Sequence, residues 1–137
     1  MAPSLYTFSS ETLSDLRKFR FASARATTMQ AVIYYIDKKT YEVQKENEQP
    51  IDTLEELTEE LPDNSARYVV LSYPIKLDDG RIKNPLVLLY WRPPTCGQES
   101  KMLYAGAVEL IREKAGVSQL IEIEDEEDFE DLEEQLH

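Results

Sequence analysis

Residues Gln98 to Ala115 read QESKMLYAGAVELIREKA. The stretch has no proline and one internal glycine, and Gly116 follows where a helix C-cap glycine belongs. We read one long helix over 98–115. Leu103, Tyr104, Ala107, Val108, Leu110, Ile111 and Ala115 share one face at about 100° per residue, so that face packs on a core. The opposite face carries Met102, Ala105, Gly106, Glu109, Arg112 and Glu113. A solvated stripe is ordinarily charged and long-chained. This one opens on an adaptable Met beside two residues with almost no side chain, which lets another surface approach the backbone. Two readings stand: a helix face that enters a partner's groove, or an incidental exposed Met with Gly106 tolerated.

Working outward, Pro85 to Trp91 (PLVLLYW) is apolar on both faces and reads as a central strand covered on each side. Arg67 to Leu77 pairs with it as a hairpin over 67–91, with Asp78 to Arg81 as the turn and Gly80 supplying positive φ. Pro74 inside that strand implies an edge or a bulge. Residues 30–45 form a first hairpin around Asp37 to Lys39. Thr53 caps a short helix over 53–61. A first helix over about 10–21 starts at Ser9 or Ser10 and buries Leu13, Leu16 and Phe19. A short strand follows at 120–123. A closing helix at 126–136 turns Phe129, Leu132 and Leu136 inward. The order is α-ββ-α-ββ-α-β-α. It describes one α/β domain over 1–137 (α+β, mixed sheet), with five strands and helices on both faces.

Charge and chemistry narrow the function. The 137 residues carry a net charge of -12, which disfavours general nucleic-acid binding. Arg17, Lys18, Arg20 and Arg25 form the one basic cluster near the start. Cations at a helix C-terminus also have an ordinary explanation in the helix dipole. No apolar run spans a bilayer, and MAPSLYTFSS lacks the features of a secretory leader. A single cysteine, Cys96, fits a reducing compartment and reads as an inert loop thiol. The only histidine is His137, so no imidazole relay is available. Zinc clusters, phosphate loops and a complete calcium loop are absent. The sequence offers no persuasive catalytic constellation and calls for no cofactor or metal, so an enzymatic role is not expected.

Several blocks then carry a resemblance: Leu16-Arg-Lys-Phe-Arg-Phe21, Glu60-Leu-Pro-Asp63 with Arg67-Tyr68, Asp79-Gly80-Arg81 with Pro85-Leu86, and Met102-Leu-Tyr-Ala-Gly106. Together they resemble the actin-depolymerising-factor homology family, and within it the glia maturation factors, over about residues 5–136. Cofilins read Tyr-Ala-Ser where this chain has Tyr104-Ala-Gly106. The resemblance implies a monomer that binds the actin-related protein 2/3 complex, releases daughter filaments from branches and suppresses nucleation. It implies weak or no direct binding to actin. It also implies residence in the cytoplasm at branched networks such as cortical actin patches, with the nucleus left open. The alternative is a cofilin-like protein that binds and severs filaments.

Carried over, the partner-binding residues are Ser4, Leu5 and Tyr6, then Lys101, Met102, Ala105, Glu109 and Arg112, then about Glu124, Asp125 and Glu126. Arg17, Lys18, Arg20 and Arg25 would supplement them electrostatically. Ser4 is the position where a phosphate would add opposing charge. A second family surface falls on Asp78, Asp79, Gly80, Arg81 and Lys83. Together with the closing helix this region is basic in cofilins; here it carries Asp78 and Asp79 beside a closing helix rich in acid, which disfavours the side of a filament.

Overall fold

The structure is a computed structural model that describes residues 6–23, 28–47, 49–117 and 119–132. Strand β1 is Thr7–Phe8, and helix α1 is Ser10–Ser23. Ser9 is the N-cap: its hydroxyl accepts the Thr12 amide at 3.0 Å. Strands β2 (Gln30–Ile36) and β3 (Glu42–Lys45) form the first hairpin, and helix α2 (Leu54–Glu60) follows its Thr53 cap. Strand β4 is Arg67–Ser72, β5 Ile75–Lys76, β6 Ile82–Lys83 and β7 Leu86–Trp91. Helices α3 (Gln98–Ala105) and α4 (Val108–Ala115), strand β8 (Gln119–Ile123) and a 3-10 turn at Glu126–Asp131 complete the described chain.

The main sheet has six strands in the order β1-β3-β2-β4-β7-β8, one more than expected. The addition is β1, two residues running parallel to β3. So short a strand has no period to read. The hairpin expected over 67–91 divides in two. Here β4 pairs with β7 from Arg67↔Trp91 to Ser72↔Leu86, while β5 and β6 form a separate two-stranded ribbon. Pro74 and Pro85 stand where the two part, since neither can donate to a ladder. So β4 is an interior strand, not an edge.

Period-2 alternation sends each central strand into two cores. On one face, Val32, Tyr34, Tyr68, Val70, Leu88 and Tyr90 meet Leu16 and Phe19 of α1 and Tyr104, Ala107 and Ile111 of the α3–α4 pair. On the other, Ala31, Ile33, Val69, Leu71, Val87, Leu89 and Trp91 meet Leu57 of α2 and Phe129 and Leu132 of the closing turn. Trp91 stacks on Phe129 at 6.2 Å and donates its indole N–H to the Pro62 carbonyl at 2.6 Å. The closing element expected as a helix over 126–136 is a 3-10 turn as far as Asp131. Leu136 lies outside the described residues. Among the described residues no helix is long and apolar enough to cross a membrane, and no acidic, His or Cys cluster could hold a metal ion.

Candidate functional site

The expected helix over 98–115 is two helices. Gly106 and Ala107 separate α3 from α4. The cause is a pair of tyrosine hydroxyls inserted into the backbone ladder. Tyr68 donates to the carbonyl of Tyr104, and Tyr6 donates to the carbonyl of Leu103 at 2.7 Å. The Ala107 amide takes Tyr104 O at 3.2 Å, a tighter pairing than the α-helical one. Each carbonyl released from the ladder thus has a donor. Glycine at 106 leaves room for the Tyr6 hydroxyl, which a Cβ there would force to shift. The second helix ends as expected, on Gly116 at φ 72.

The outward face of this broken helix matches the stripe read from the sequence. Met102 is 67% exposed, and Ala105, Gly106, Glu109 and Glu113 are exposed with it. Arg112 is half-buried and pairs with Glu109 at 3.7 Å. Among neighbours of Met102, Ser100 turns inward and accepts the Ala66 amide at 3.4 Å.

One pocket opens at Met102 and a second at Lys101. The first, about 350 Å³, is lined by Tyr6, Lys38, Tyr41, Glu99, Met102 and Leu103. The second, about 250 Å³, is lined by Arg92, Pro94, Lys101 and Glu124. The structure therefore brings Tyr6 and Met102 together, and Lys101 and Glu124. Arg92 anchors Glu124 at 2.8 Å and Glu122 at 3.4 Å. The Asp128 carboxylate accepts the Glu124 and Asp125 amides at 2.9 and 3.3 Å, fixing the turn at this end.

Other expected residues sit elsewhere. Arg20 lies over the Phe21 ring at 5.6 Å and its guanidinium abuts Gly116, at the negative end of α4. At 1.5 Å per residue that is roughly 20 Å along the helix pair from Met102. Lys18 lines a different groove with Asp15, Phe19 and Lys45. Arg17 is exposed on α1. Ser4, Leu5 and Arg25 lie outside the described residues, as does the side chain of Glu126. On the second surface, Gly80 has φ 91 as expected, and Arg81 pairs with Asp79 at 2.6 Å. Lys83 is exposed in β6, and Asp78 in the turn.

The sequence does not single out Lys38, Tyr41, Glu99 or Arg92, all of which line the site. Arg92 directly follows an apolar strand, and its role emerges only from the parallel pairing of β7 with β8. Tyr41 holds φ 59, a left-handed conformation that costs a non-glycine residue roughly 1–2 kcal/mol. Its turn is tied down on several sides. The Asp37 carboxylate accepts the Lys39 and Thr40 amides at 2.8 and 3.1 Å. Those bonds hold its pKa below the ordinary value. The Tyr41 carbonyl accepts the Thr7 amide at 3.0 Å. The Tyr41 ring meets Tyr6 edge-on at 6.2 Å.

The fold and this face define a class, and comparison with known proteins identifies it. The family model for cofilin/tropomyosin-type actin-binding proteins matches residues 5–137. Protein AIM7 of Saccharomyces cerevisiae is 44% identical, over 96% of each chain. Glia maturation factor beta of Homo sapiens is 35% identical, over 85% of this chain and 81% of that one. The solution structure of glia maturation factor from Caenorhabditis elegans superposes with a TM-score of 0.78 at 38% identity, covering 98% of this chain and 99% of the other. The chain belongs to the actin-depolymerising-factor homology family, in its glia maturation factor branch. Membership places it among regulators of the actin cytoskeleton.

Proposed function

We propose that this chain binds the actin-related protein 2/3 complex, releases daughter filaments from branches and inhibits nucleation. The observation that carries this reading is the broken helix: Met102 is 67% exposed, with Ala105 and Gly106 bare beside it. A large apolar side chain flanked by open backbone suits insertion into a cleft. Similarity to glia maturation factors supports choosing this complex as the target.

The Met102 face wedges into the cleft of an actin-related subunit at the branch. Lys101 and Glu124 meet its rim from one side and Tyr6 from the other, and Ser4 and Leu5 add to the binding. Occupancy there is incompatible with the contacts of the first daughter subunit. Tighter binding to the open junction shifts the equilibrium toward release, and no hydrolysis by this chain is involved. Arg17, Lys18, Arg20 and Arg25 add long-range attraction that salt screens. A phosphate on Ser4 opposes binding. The chain acts as a monomer in the cytoplasm at branched networks.

The family description as actin-binding proteins favours a second reading, cofilin-like binding and severing of filaments. Two assays separate them. Single branched filaments watched by microscopy lose daughters faster when the protein is present; unchanged branch lifetimes exclude the debranching role. In sedimentation with pure filaments the protein stays in the supernatant, whereas a severing protein pellets.

A further inference from the structure

Tyr41 is strained, held by fixed hydrogen bonds, half-buried against the core and lines a cavity, and residues in such backbone conformations cluster at functional sites. The turn from Asp37 to Tyr41 belongs to the first hairpin, distant in sequence from α3, yet Lys38 and Tyr41 face Met102 and Leu103 across the same groove of about 350 Å³. Tyr6 lies between them, bound to Leu103 and edge-on to Tyr41. The hairpin thus supplies a second wall to a face otherwise built from one helix.

We propose that this groove receives an apolar side chain of the partner complex, flanked on the partner by a carboxylate that pairs with Lys38. This rests on the docking face proposed above and adds a receptor pocket beside the inserting helix. The tyrosine rings, Met102 and Leu103 supply the apolar lining. Lys38 is an exposed cation in a chain of net charge -12, so it selects for acid where most of the surface would repel it. Glu99 lines the same groove and repels a carboxylate at its own position, which fixes the direction of the partner segment.

The test titrates purified actin-related protein 2/3 complex with the full chain carrying Tyr41→Asn, Tyr41→Phe, Lys38→Glu or Met102→Ala, with melting curves for each. Asn accepts the left-handed backbone but removes the ring. Tyr41→Phe should bind as the parent does, and Tyr41→Asn should weaken binding about tenfold with the fold intact. Lys38→Glu should weaken binding at low salt and much less at high salt. If Met102→Ala weakens binding while Tyr41→Asn and Lys38→Glu leave it unchanged, the pocket is refuted and the helix face survives. If Met102→Ala also leaves it unchanged, both fall. Should Tyr41→Asn fail to fold, Lys38→Glu decides alone: unchanged affinity at low salt overturns the pocket.

Discussion

Gly106 and Tyr6 are a matched pair. The glycine is in ordinary right-handed conformation, at φ -70, so its backbone does not require glycine. What favours it is the Tyr6 hydroxyl overhead. A Gly106→Ala change therefore sets two effects against each other. Alanine favours the helix by about 1 kcal/mol, and displacing Tyr6 loses a hydrogen bond of about 1 kcal/mol. In the parent the change should be nearly neutral or destabilising in urea melts. In a Tyr6→Ala background it should stabilise, because the obstacle is gone. A double-mutant cycle without that reversal would show that Tyr6 does not occupy the space above Gly106. The sequence displays the small residues at 105 and 106 plainly. It does not show the reason for them, since Tyr6 is 97 positions from the carbonyl it binds.

At the scale of elements, the break between α3 and α4 was not legible in advance. The apolar stripe runs from Leu103 to Ala115, and the one local signal at the break, Gly106, is a residue that a helix can carry at a cost of about 1 kcal/mol. The interruption comes from Tyr68, a strand residue 36 positions from Tyr104, whose hydroxyl enters the helix ladder. Tyr68→Phe should destabilise by about 1 kcal/mol and raise hydrogen exchange at Ala107. Unchanged exchange there would mean that the hydroxyl does not maintain the break. The Asp37 turn makes a second claim at this scale. Its carboxylate has a lowered pKa because the Lys39 and Thr40 amides donate to it. The ordering it gives is present above the ordinary carboxylate pKa of about 4 and is lost as pH falls through the lowered folded value. Protection of those two amides should therefore persist into mild acid and disappear in Asp37→Ala at every pH.

For the whole molecule, the layered architecture was the most readable feature. PLVLLYW has no polar face, and β7 accordingly lies between two cores with every residue from Val87 to Trp91 buried. The caps at Ser9, Thr53 and Gly116 were legible for the same local reason. The strand count was not, because Thr7–Phe8 contributes two residues by pairing alone. Burial of tyrosines gives this body a predicted weakness. Desolvation raises the pKa of Tyr6, Tyr34, Tyr68, Tyr90 and Tyr104. A phenol held neutral contributes its stability fully below the unfolded value of about 10 and loses it as pH climbs toward the folded value. Alkaline unfolding above about pH 10 should thus be cooperative, with phenolate absorbance rising as circular dichroism collapses. Ionisation of those five phenols with the fold intact would contradict it.

The central claim is that one helix pair holds the sheet with its inner side and engages the branch complex with its outer side. Titrating Lys101→Ala/Met102→Ala against purified actin-related protein 2/3 complex tests it most directly, with a melting curve on the same sample. The account predicts a loss of affinity beyond about tenfold and an unchanged melting temperature, since Met102 is exposed. Parental affinity in a normally folded variant would contradict it.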